Sequence, residues 1–534
     1  MNRRLVFTTI AASCISIASM IVSPLAEAKT LRWSSAGDLL TADPHSQNAG
    51  LNNAINGQVY EGLVERGKKL EIVPRLATSW KQTNPTTWVF NIRKNVKFHN
   101  GNVLTADDVV FSILRLQQPT SNFRVYANAI GKPRKIDAHT VELTTETANP
   151  VMLEMLVNLF IMDREWAIAN KVEKVQDFTA LEETFAARNA NGTGPFILAT
   201  REPEVRTTFK KNLNWWAIAD KKFEGNVTEI VYTPIRSDAT RMSALLSGEI
   251  DLVLDPAVQN LEQFKRNPGL KVVEGREIRV IFFGMDQARN ELLYSNIKGK
   301  NPLKDKRVRQ AMYQAIDIEA IKKTVLRGLS VPIGLVHPAP ESAGLPASLT
   351  RRLPLDVVGA KKLMRDAGYE SGFDITLDCP NGRYLADEKI CVAVAGMLAK
   401  INIRVRVNAM PVSTYFAKVQ KLDTSFYMLG WGGSTFDPIF TLQPVMHTRN
   451  SKGDGDYNWG QISDKNLDAL TEKIKGETDA KKRLEMIVEA FKIHNDNIYH
   501  LPMHLQIIPW AMRRNVSVVH RADNWLEVPW VVIK

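Results

Sequence analysis

An arginine and a tyrosine follow a predicted strand in the segment Pro380-Asn381-Gly382-Arg383-Tyr384. The residues before it, FDITLDC at 373–379, have the alternation of a strand. In open α/β sheets, ligands bind beyond the carboxyl ends of strands. A guanidinium can hold a carboxylate through two parallel hydrogen bonds, and a tyrosine can stack on a ligand or hydrogen-bond to it. We therefore interpret Asn381, Arg383 and Tyr384 as candidate ligand-binding residues, with a solvent-exposed turn as the alternative.

A second segment, LGWGGSTFDP at 429–438, combines glycines with an aromatic side chain. Glycine lets a backbone approach a ligand closely, and Trp431 offers a flat apolar wall. The other candidates here are Gly432, Gly433, Ser434 and Asp437. The alternatives are a core position for Trp431 and an Asx turn before Pro438 for Asp437. A third candidate is the polar loop of Ser46, Gln47 and Asn48 after the first predicted strand, where an ordinary turn is the alternative.

Catalytic and metal motifs are poorly represented in the sequence. It contains no HExxH, Walker A, GxGxxG or GxSxG motif. Ser295 and Lys298 match S-x-x-K, but no K-T-G accompanies them. His500 and His504 have an i, i+4 spacing, yet HLPMHLQIIPW contains Pro502 and is predicted to be extended, which separates the two rings. We expect no enzyme activity, no catalytic residue, no metal site and no cofactor.

The predicted elements would place these loops at strand ends. From about residue 300 the chain alternates helices with the strands FDITLDC and IRVRVNAMP, which indicates an α/β lobe. Earlier, residues 76–111 predict a hairpin with a turn and then a helix. Thr105 stands three residues before Asp108 and ahead of an apolar run, close to a capping box. Residues 51–64 are also expected to be helical.

The first 28 residues have the features of a secretory signal peptide. A basic start, Asn2-Arg3-Arg4, precedes an apolar stretch and the site Ala26-Glu27-Ala28. A membrane anchor is disfavoured by the polar residues and Pro24 within the stretch. Cys14 raises the possibility of lipidation, but ordinary cleavage fits better because apolar sequence continues past it. The mature product is therefore expected to be exported, and its length suggests two or three domains.

The net charge of the chain excludes few classes of function. The chain has 69 Lys and Arg residues against 57 Asp and Glu residues, a formal net charge of +12. The charges are interspersed and there is no basic tail or arginine-rich run. Together with the export signal, this disfavours nucleic-acid binding.

Several ordered stretches resemble one protein family. They are residues 76–111, YEGL at 60–63, NGTGPF at 191–196, SGEIDLV at 247–253, PLKDKRVRQAMYQAID at 302–317, AGY at 367–369 and LGWGGSTFDP. These stretches are similar to those of the family 5 extracellular solute-binding proteins, the peptide receptors of bacterial ABC importers. The resemblance implies the large periplasmic-binding-protein fold, of α/β class, with two lobes, a hinge and an additional inserted domain. It places lobe I at 29–66, 191–290 and 509–534, the inserted domain at 67–190, and lobe II at 291–508.

The function that the resemblance implies is capture of a small peptide or peptide-like solute between the lobes and its delivery to inner-membrane permease subunits. The protein would be periplasmic and monomeric. An alternative is a receptor for a nickel chelate, an opine or another amino-acid conjugate, and a remote one is a periplasmic hydrolase.

The resemblance also assigns roles to particular residues. In dipeptide-binding relatives an arginine in the loop matching Arg383 holds the ligand carboxylate. An aspartate three residues after the tryptophan holds the α-amino group, but this chain has Ser434 there. Either Asp437 substitutes for it, or the ligand lacks a free α-amino group. Similar cysteines occur in relatives, so Cys379 and Cys391 are expected to form a disulfide in the oxidising compartment.

Overall fold

The computed structural model of the protein describes residues 28–178, 180–432, 435–451 and 453–534. The predicted signal peptide, except for its last residue, lies outside the described residues. Strands and helices alternate along the chain, which confirms the α/β class predicted from sequence. In the described part of the chain, no helix is long and apolar enough to cross a membrane.

The strands, in chain order, are β1 (Thr30–Ser35), β2 (Val64–Arg66), β3 (Ile72–Pro74), β4 (Ala77–Asn84), β5 (Thr87–Ile92), β6 (Lys132–Asp137), β7 (Thr140–Thr144), β8 (Phe196–Glu202), β9 (Arg206–Lys211), β10 (Glu229–Pro234), β11 (Leu252–Val253), β12 (Leu270–Met285), β13 (Ser330–Pro332), β14 (Phe373–Asn381), β15 (Ile403–Pro411), β16 (Phe426–Trp431), β17 (His500–Arg513), β18 (Val516–Ser517) and β19 (Val532–Ile533). The helices are α1 (Gly50–Asn56), α2 (Ala106–Leu116), α3 (Arg124–Ala129), α4 (Met152–Leu156), α5 (Arg164–Ala169), α6 (Phe185–Arg188), α7 (Asp238–Ser247), α8 (Leu261–Arg266), α9 (Lys306–Ala315), α10 (Ile318–Ala320), α11 (Val357–Asp366), α12 (Asp387–Leu398), α13 (Val412–Val419), α14 (Ile439–Thr441), α15 (Lys465–Gly476) and α16 (Ala480–Asp496).

One long mixed sheet runs through the molecule in the order β15-β14-β16-β12-β17-β11-β1-β10-β9-β8, with β13 added beside β17. Its two central strands, β12 and β17, are 16 and 14 residues long and pair antiparallel along most of their length. Strands β14, β15 and β16 lie on one side of this pair, in the predicted lobe II. Strands β1 and β8 to β11 lie on the other side, in the predicted lobe I. The pair β12–β17 therefore connects the two halves.

A smaller four-stranded sheet, β4-β5-β7-β6, lies within residues 67–190 and has its own hydrophobic core. Phe90 and Ile92 of β5 are buried in this core, as the alternation predicts. At the start of α2, the Thr105 side chain accepts a hydrogen bond from the Asp107 N–H, and Asp108 accepts one from the Thr105 N–H at 2.8 Å. The structure thus contains the capping box that the sequence predicts.

The predicted helix over residues 51–64 is much shorter than expected, since α1 ends at Asn56. The chain then turns so that Glu61 enters a buried site, where it accepts hydrogen bonds from the Thr193 hydroxyl at 2.6 Å and from the Trp215 and Trp216 indoles at 3.1 and 3.0 Å. Its carboxylate is also paired with Arg75. These tertiary contacts replace the helix that local pattern favours.

Candidate ligand-binding site

In the two halves of the long sheet, the carboxyl ends of the strands face each other. Strands β14, β15 and β16 are mutually parallel, and β16 is antiparallel to β12. On the other side, β1, β10 and β11 are parallel to each other and run in the same sense as β12, because β11 and β12 are both antiparallel to β17. The ends of β14 and β16 therefore point toward lobe I, and the end of β1 points toward lobe II. Ligands of open α/β sheets bind at such edges.

The loop after β14 is fixed by one carboxylate at the start of α12. Asp387 accepts hydrogen bonds from the N–H groups of Gly382, Arg383 and Tyr384 at 3.2, 2.8 and 3.0 Å. Asn381 is exposed, and its side chain donates to Glu388 at 2.7 Å. The loop is therefore rigid at its backbone, which leaves the Arg383 side chain to be positioned by its surroundings.

The Arg383 guanidinium has neither a hydrogen bond nor an ion pair within the described residues. It lies 5.2 Å from the centroid of the Tyr384 ring, a cation–π distance. The Arg383 side chain is solvent-exposed, and partial desolvation by the surrounding protein, followed by the positive charge of Arg279, lowers its pKa. Tyr384 is buried, its hydroxyl donates to the Gly430 carbonyl at 3.3 Å, and burial raises its pKa. A cation with unused donors thus stands at the strand edge, as a carboxylate site requires.

Two glycines of the second segment make room for side chains of the protein itself. A Cβ at Gly430 would overlap the Tyr384 ring and lie 2.8 Å from the Ile281 side chain. A Cβ at Gly432 would lie 2.5 Å from the Ile278 carbonyl oxygen and 3.2 Å from the Arg279 guanidinium. The close approach that we expected between these glycines and a ligand is thus made, in this structure, by Tyr384 and Arg279.

Trp431, at the end of β16, is partly buried. Its indole N–H donates to the Phe440 carbonyl at 3.0 Å, and its ring lies 4.9 Å from that of Tyr457. Both carboxylate oxygens of Asp437 accept hydrogen bonds from Arg483, at 2.7 Å each. One of them also accepts the Ile439 N–H at 2.9 Å. Asp437 is therefore already neutralised. Gly433 and Ser434 lie outside the described residues.

The loop of Ser46, Gln47 and Asn48 uses its polar atoms within the fold. Ser46 is fully buried, and its hydroxyl donates to the Gln176 carbonyl at 3.1 Å. Gln47 donates to the Ser46 carbonyl, and Asn48 accepts from Asn53. Ligand contact by these three residues stays a prediction. The end of β1 itself lies nearer the facing edges, where the Ser35 hydroxyl donates to Asp255 at 2.9 Å.

Three residues beside the candidate site were missed in the sequence. Arg279 on β12 pairs with Glu277 at 3.0 Å, and Glu277 accepts a hydrogen bond from Gln506 of β17 at 2.7 Å. Gln506 in turn accepts the Leu385 N–H at 3.1 Å, next to the Arg383 loop. The available signal was the presence of polar residues within the apolar strands EIRVIFFGM and HLQIIPW.

A disulfide joins Cys379, near the end of β14, to Cys391 on α12. Both cysteines are fully buried in the lobe II core. The cross-link closes a loop of 12 residues that contains Arg383 and Tyr384. It therefore ties the base of the candidate site to the helix behind it.

One cluster has the composition of a metal site. Suitable atoms of His447, Asp454 and Glu472 lie within 4.8 Å of one another. However, the Lys475 ammonium donates to Asp454 at 2.8 Å and to Glu472 at 2.6 Å. A cation already occupies this position. His500 and His504 are both buried, and His500 contacts His494 at 2.8 Å rather than His504.

A cavity of about 670 Å³ lies between the predicted inserted domain and the predicted lobe II. Residues 117–155 contribute one wall, and Ile439, Gln443, Lys475 and Arg483 contribute the other. Its size is within the range of small-molecule sites. Arg483, which donates hydrogen bonds to Asp437, is one of its lining residues.

Comparison with known proteins adds relatives across the whole chain. Heme-binding protein A of Haemophilus influenzae is 25% identical over 480 residues, covering 84% of this chain and 82% of the relative. Di/tripeptide-binding protein 1 of Pseudomonas aeruginosa is 25% identical over 545 residues, covering 94% of each. The solved periplasmic binding protein AgaA of A. tumefaciens R10, in complex with agropinic acid, matches with a TM-score of 0.76 and 22% identity, covering 95% of this chain and 99% of AgaA. That likeness confirms the predicted periplasmic-binding-protein fold.

The family itself is shown by a sequence model that matches residues 71–453, described as bacterial extracellular solute-binding proteins, family 5 Middle. The match covers most of the chain and includes both candidate loops of lobe II. This protein belongs to the family 5 bacterial extracellular solute-binding proteins.

Proposed function

We propose that this protein is a periplasmic receptor that captures a small peptide or peptide-like solute between its lobes and delivers it to the permease of an ABC importer. The observation that carries the proposal is the Arg383 guanidinium, which stands without an ion pair at the edge where the two half-sheets face each other. A ligand carboxylate would supply the missing partner. No covalent step is needed.

Binding would proceed by closure of the lobes around the ligand. In the open form, the ligand carboxylate meets Arg383, and its body packs against Trp431. Rotation about the paired strands β12 and β17, which connect the two halves, then brings the end of β1 and the loop that follows it onto the ligand from lobe I. The closed shape is what the permease would recognise.

The ligand end opposite the carboxylate is best matched by a group other than a free ammonium. Asp437, the predicted substitute for the missing amino-binding aspartate, has both oxygens bound by Arg483. An ammonium would have to displace that pair, at the cost of leaving Arg483 unpaired. This observation favours the alternative ligand class, an amino-acid conjugate, opine or chelate whose amino group is blocked. A structural neighbour with a chelate as its ligand is NikZ from Campylobacter jejuni, solved in complex with Ni(L-His).

Native mass spectrometry of the freshly purified protein would identify a co-purified ligand by mass. Calorimetry with Ala-Ala and N-acetyl-Ala-Ala would then compare free and blocked amino groups. We expect the blocked peptide to bind at least as well as the free one. A strong preference for Ala-Ala would contradict the blocked-ligand class. Incubation of either peptide with the protein should yield no hydrolysis product.

The role of Arg383 is tested by Arg383→Ala. A charge-assisted contact with Arg383 would be desolvated when the lobes close, so its loss should weaken binding of a carboxylate ligand by roughly 2–5 kcal/mol. Arg404→Ala is the matched control, since Arg404 pairs with Asp374 at the opposite end of the same sheet half. Unchanged affinity in Arg383→Ala would remove Arg383 from the site.

A further inference from the structure

Arg279 is a second guanidinium beside Arg383. It lies on β12 one residue before Val280, which is the register partner of Trp431. Its guanidinium carbon lies 5.8 Å from the centroid of the Tyr384 ring, and that of Arg383 lies 5.2 Å from the same centroid. Two cations therefore share one aromatic ring at the edge where the half-sheets face each other.

Arg279 has hydrogen-bonding capacity that the protein does not use. Its Nε donates to Glu277 at 3.0 Å and its Nη1 donates to the Gly430 carbonyl at 3.4 Å. In the described parts of the chain, Nη2 has no acceptor. Gly432 keeps the space beside this guanidinium open, because a Cβ there would lie 3.2 Å from it. The contacts of Nε and Nη1 thus hold the guanidinium, and with it the unused Nη2 donor, in place.

The position of Arg279 is coupled to the Arg383 loop by a short chain of hydrogen bonds. Glu277 accepts from Arg279 through one oxygen and from Gln506 through the other. The side-chain amide oxygen of Gln506 accepts a hydrogen bond from the N–H of Leu385, two residues after Arg383. The two guanidinium groups are therefore set relative to each other by β12, β17 and the loop, rather than by flexible side chains alone.

Glu277 is bound by Arg279 and Gln506, and Asp387, the other carboxylate near Arg383, accepts hydrogen bonds from backbone N–H groups of its own loop. In the described structure, neither carboxylate forms an ion pair with the Arg383 guanidinium. The like charge of Arg279 contributes to the lowered pKa of Arg383. An anionic ligand would relieve this repulsion, and each added negative charge would meet an available donor.

We propose that the solute carries two acidic groups, one bound by Arg383 and the second by Nη2 of Arg279. The ligand class is a small dianion, such as a peptide or amino-acid conjugate with a second carboxylate near its carboxyl end. This proposal rests on the proposed function, because it assumes that Arg383 holds a ligand carboxylate.

Two pairs of probes isolate the second acidic group. Ala-Glu and Ala-Gln have nearly the same shape and differ by one carboxylate, and N-acetyl-Ala-Glu and N-acetyl-Ala-Gln repeat the comparison without a free amino group. Calorimetry on the full mature protein should show that the Glu member of at least one pair binds about tenfold or more tightly than its Gln partner. Raising the salt concentration should reduce this preference only partly, since buried charge pairs are weakly screened.

Arg279→Gln tests the assigned residue. We expect the variant to bind the Glu and Gln probes within about threefold of each other. Arg279→Lys, which keeps the charge, should retain part of the preference. Arg404→Gln, at the far end of the sheet half, should retain all of it.

Each outcome is decisive for one of the two proposals. Equal affinity of the wild type for both members of each pair would overturn the dianion proposal while leaving Arg383 as a carboxylate site. A full preference retained in Arg279→Gln would overturn the assignment to Arg279. If the variant fails to fold, the wild-type comparison still decides whether a dianion is preferred. Failure of all four probes to bind would count against the proposed peptide function itself, and the dianion proposal would fall with it.

Discussion

The Tyr384 hydroxyl donates a hydrogen bond to the Gly430 carbonyl oxygen at 3.3 Å, and its ring fills the space where a side chain at position 430 would begin. The tyrosine comes from the loop after β14 and the glycine from β16, so this contact fixes the loop to the neighbouring strand. The guanidinium groups of Arg279 and Arg383 both lie beside the Tyr384 ring. The geometry of the candidate site therefore depends on the absence of a Cβ at residue 430.

We predict that Gly430→Ala destabilises the protein by about 1–3 kcal/mol, because the added methyl group overpacks Tyr384 and Ile281. Ligand binding should weaken as well, since the ring that positions Arg383 must move. Chemical denaturation and calorimetry measure the two effects. Gly396→Ala on α12 is the matched control. A Cβ there meets nothing within 4 Å, and the change should stabilise the helix by up to about 1 kcal/mol. An unchanged unfolding free energy in Gly430→Ala would contradict the packing argument.

Removal of the disulfide should destabilise the protein by about 3 kcal/mol, because the cross-link restricts a 12-residue loop in the unfolded chain. Urea denaturation of Cys379→Ala/Cys391→Ala, compared with the wild type with and without reductant, measures this. The reduced wild type should approach the double variant, and the double variant should not respond to reductant. A wild type that is insensitive to reductant would show that the bond does not contribute in solution.

A buried ion pair joins the predicted first lobe to the predicted inserted domain. Asp43 and Arg115 are both fully buried, and Arg115 donates two hydrogen bonds to the Asp43 carboxylate at 2.8 and 2.6 Å. Burial alone would raise the pKa of Asp43, but the charge and hydrogen bonds of Arg115, together with the contributions of His45, outweigh it and the pKa is lowered. We predict that Asp43→Asn costs about 3–5 kcal/mol of stability, because it leaves a buried cation without its partner.

The double variant Asp43→Leu/Arg115→Met provides the comparison for this pair. It should lose less stability than the two single variants together, since neither charge is then left alone. Denaturation of the wild type, Asp43→Leu, Arg115→Met and the double variant closes the cycle. Strictly additive losses would mean that the two side chains contribute independently.

Several histidines are kept neutral inside the fold, and His504 is the clearest case. Burial, followed by the charge of Arg352, lowers its pKa to about 3, and neither ring nitrogen has a partner in the described structure. In the unfolded chain a histidine binds a proton below about pH 6.5. The contribution of neutral His504 to the stability of the folded state is therefore fully present above pH 6.5. It is lost as the pH falls from 6.5 toward 3.

The slope expected from one such histidine is about 1.4 kcal/mol per pH unit. We predict that His504→Met, a change of similar volume, reduces the dependence of the unfolding free energy on pH by about this amount between pH 6 and pH 5. Denaturation at several pH values measures the slope. A variant with the slope of the wild type would show that His504 titrates alike in both states.

Local pattern was sufficient where neighbours in the chain determine the structure. The hairpin β4–β5 and the capping box of Thr105 and Asp108 follow from residues a few positions apart. The length of α1 could not be predicted in this way. Glu61 is drawn out of the helical pattern by Thr193, Trp215 and Trp216, which lie more than 130 residues away. The family resemblance of YEGL and NGTGPF reflects this contact, although neither stretch shows it alone.

The candidate site was only partly accessible to sequence analysis for a similar reason. Arg383 was identified because it follows a strand in a loop, where an arginine has no obvious structural task. Arg279, Glu277 and Gln506 stand inside apolar strands, and their meeting depends on the pairing of β12 with β17 and β16. The use of Gly430 and Gly432 as space for Tyr384 and Arg279 likewise depends on which strands become neighbours.

The crossing strands β12 and β17 have a mechanical consequence. The two lobes are connected here by paired strands, so rotation of one lobe against the other bends a sheet about a line close to residues 276–280, where the register of the pair shifts. Arg279 lies on that line and Arg383 close to it. Under the proposed function, a ligand held between them would act with a very short lever arm. A displacement of an ångström at the ligand would then be amplified at the distant rims of the lobes, so a small molecule would change the outline of a protein many times its size.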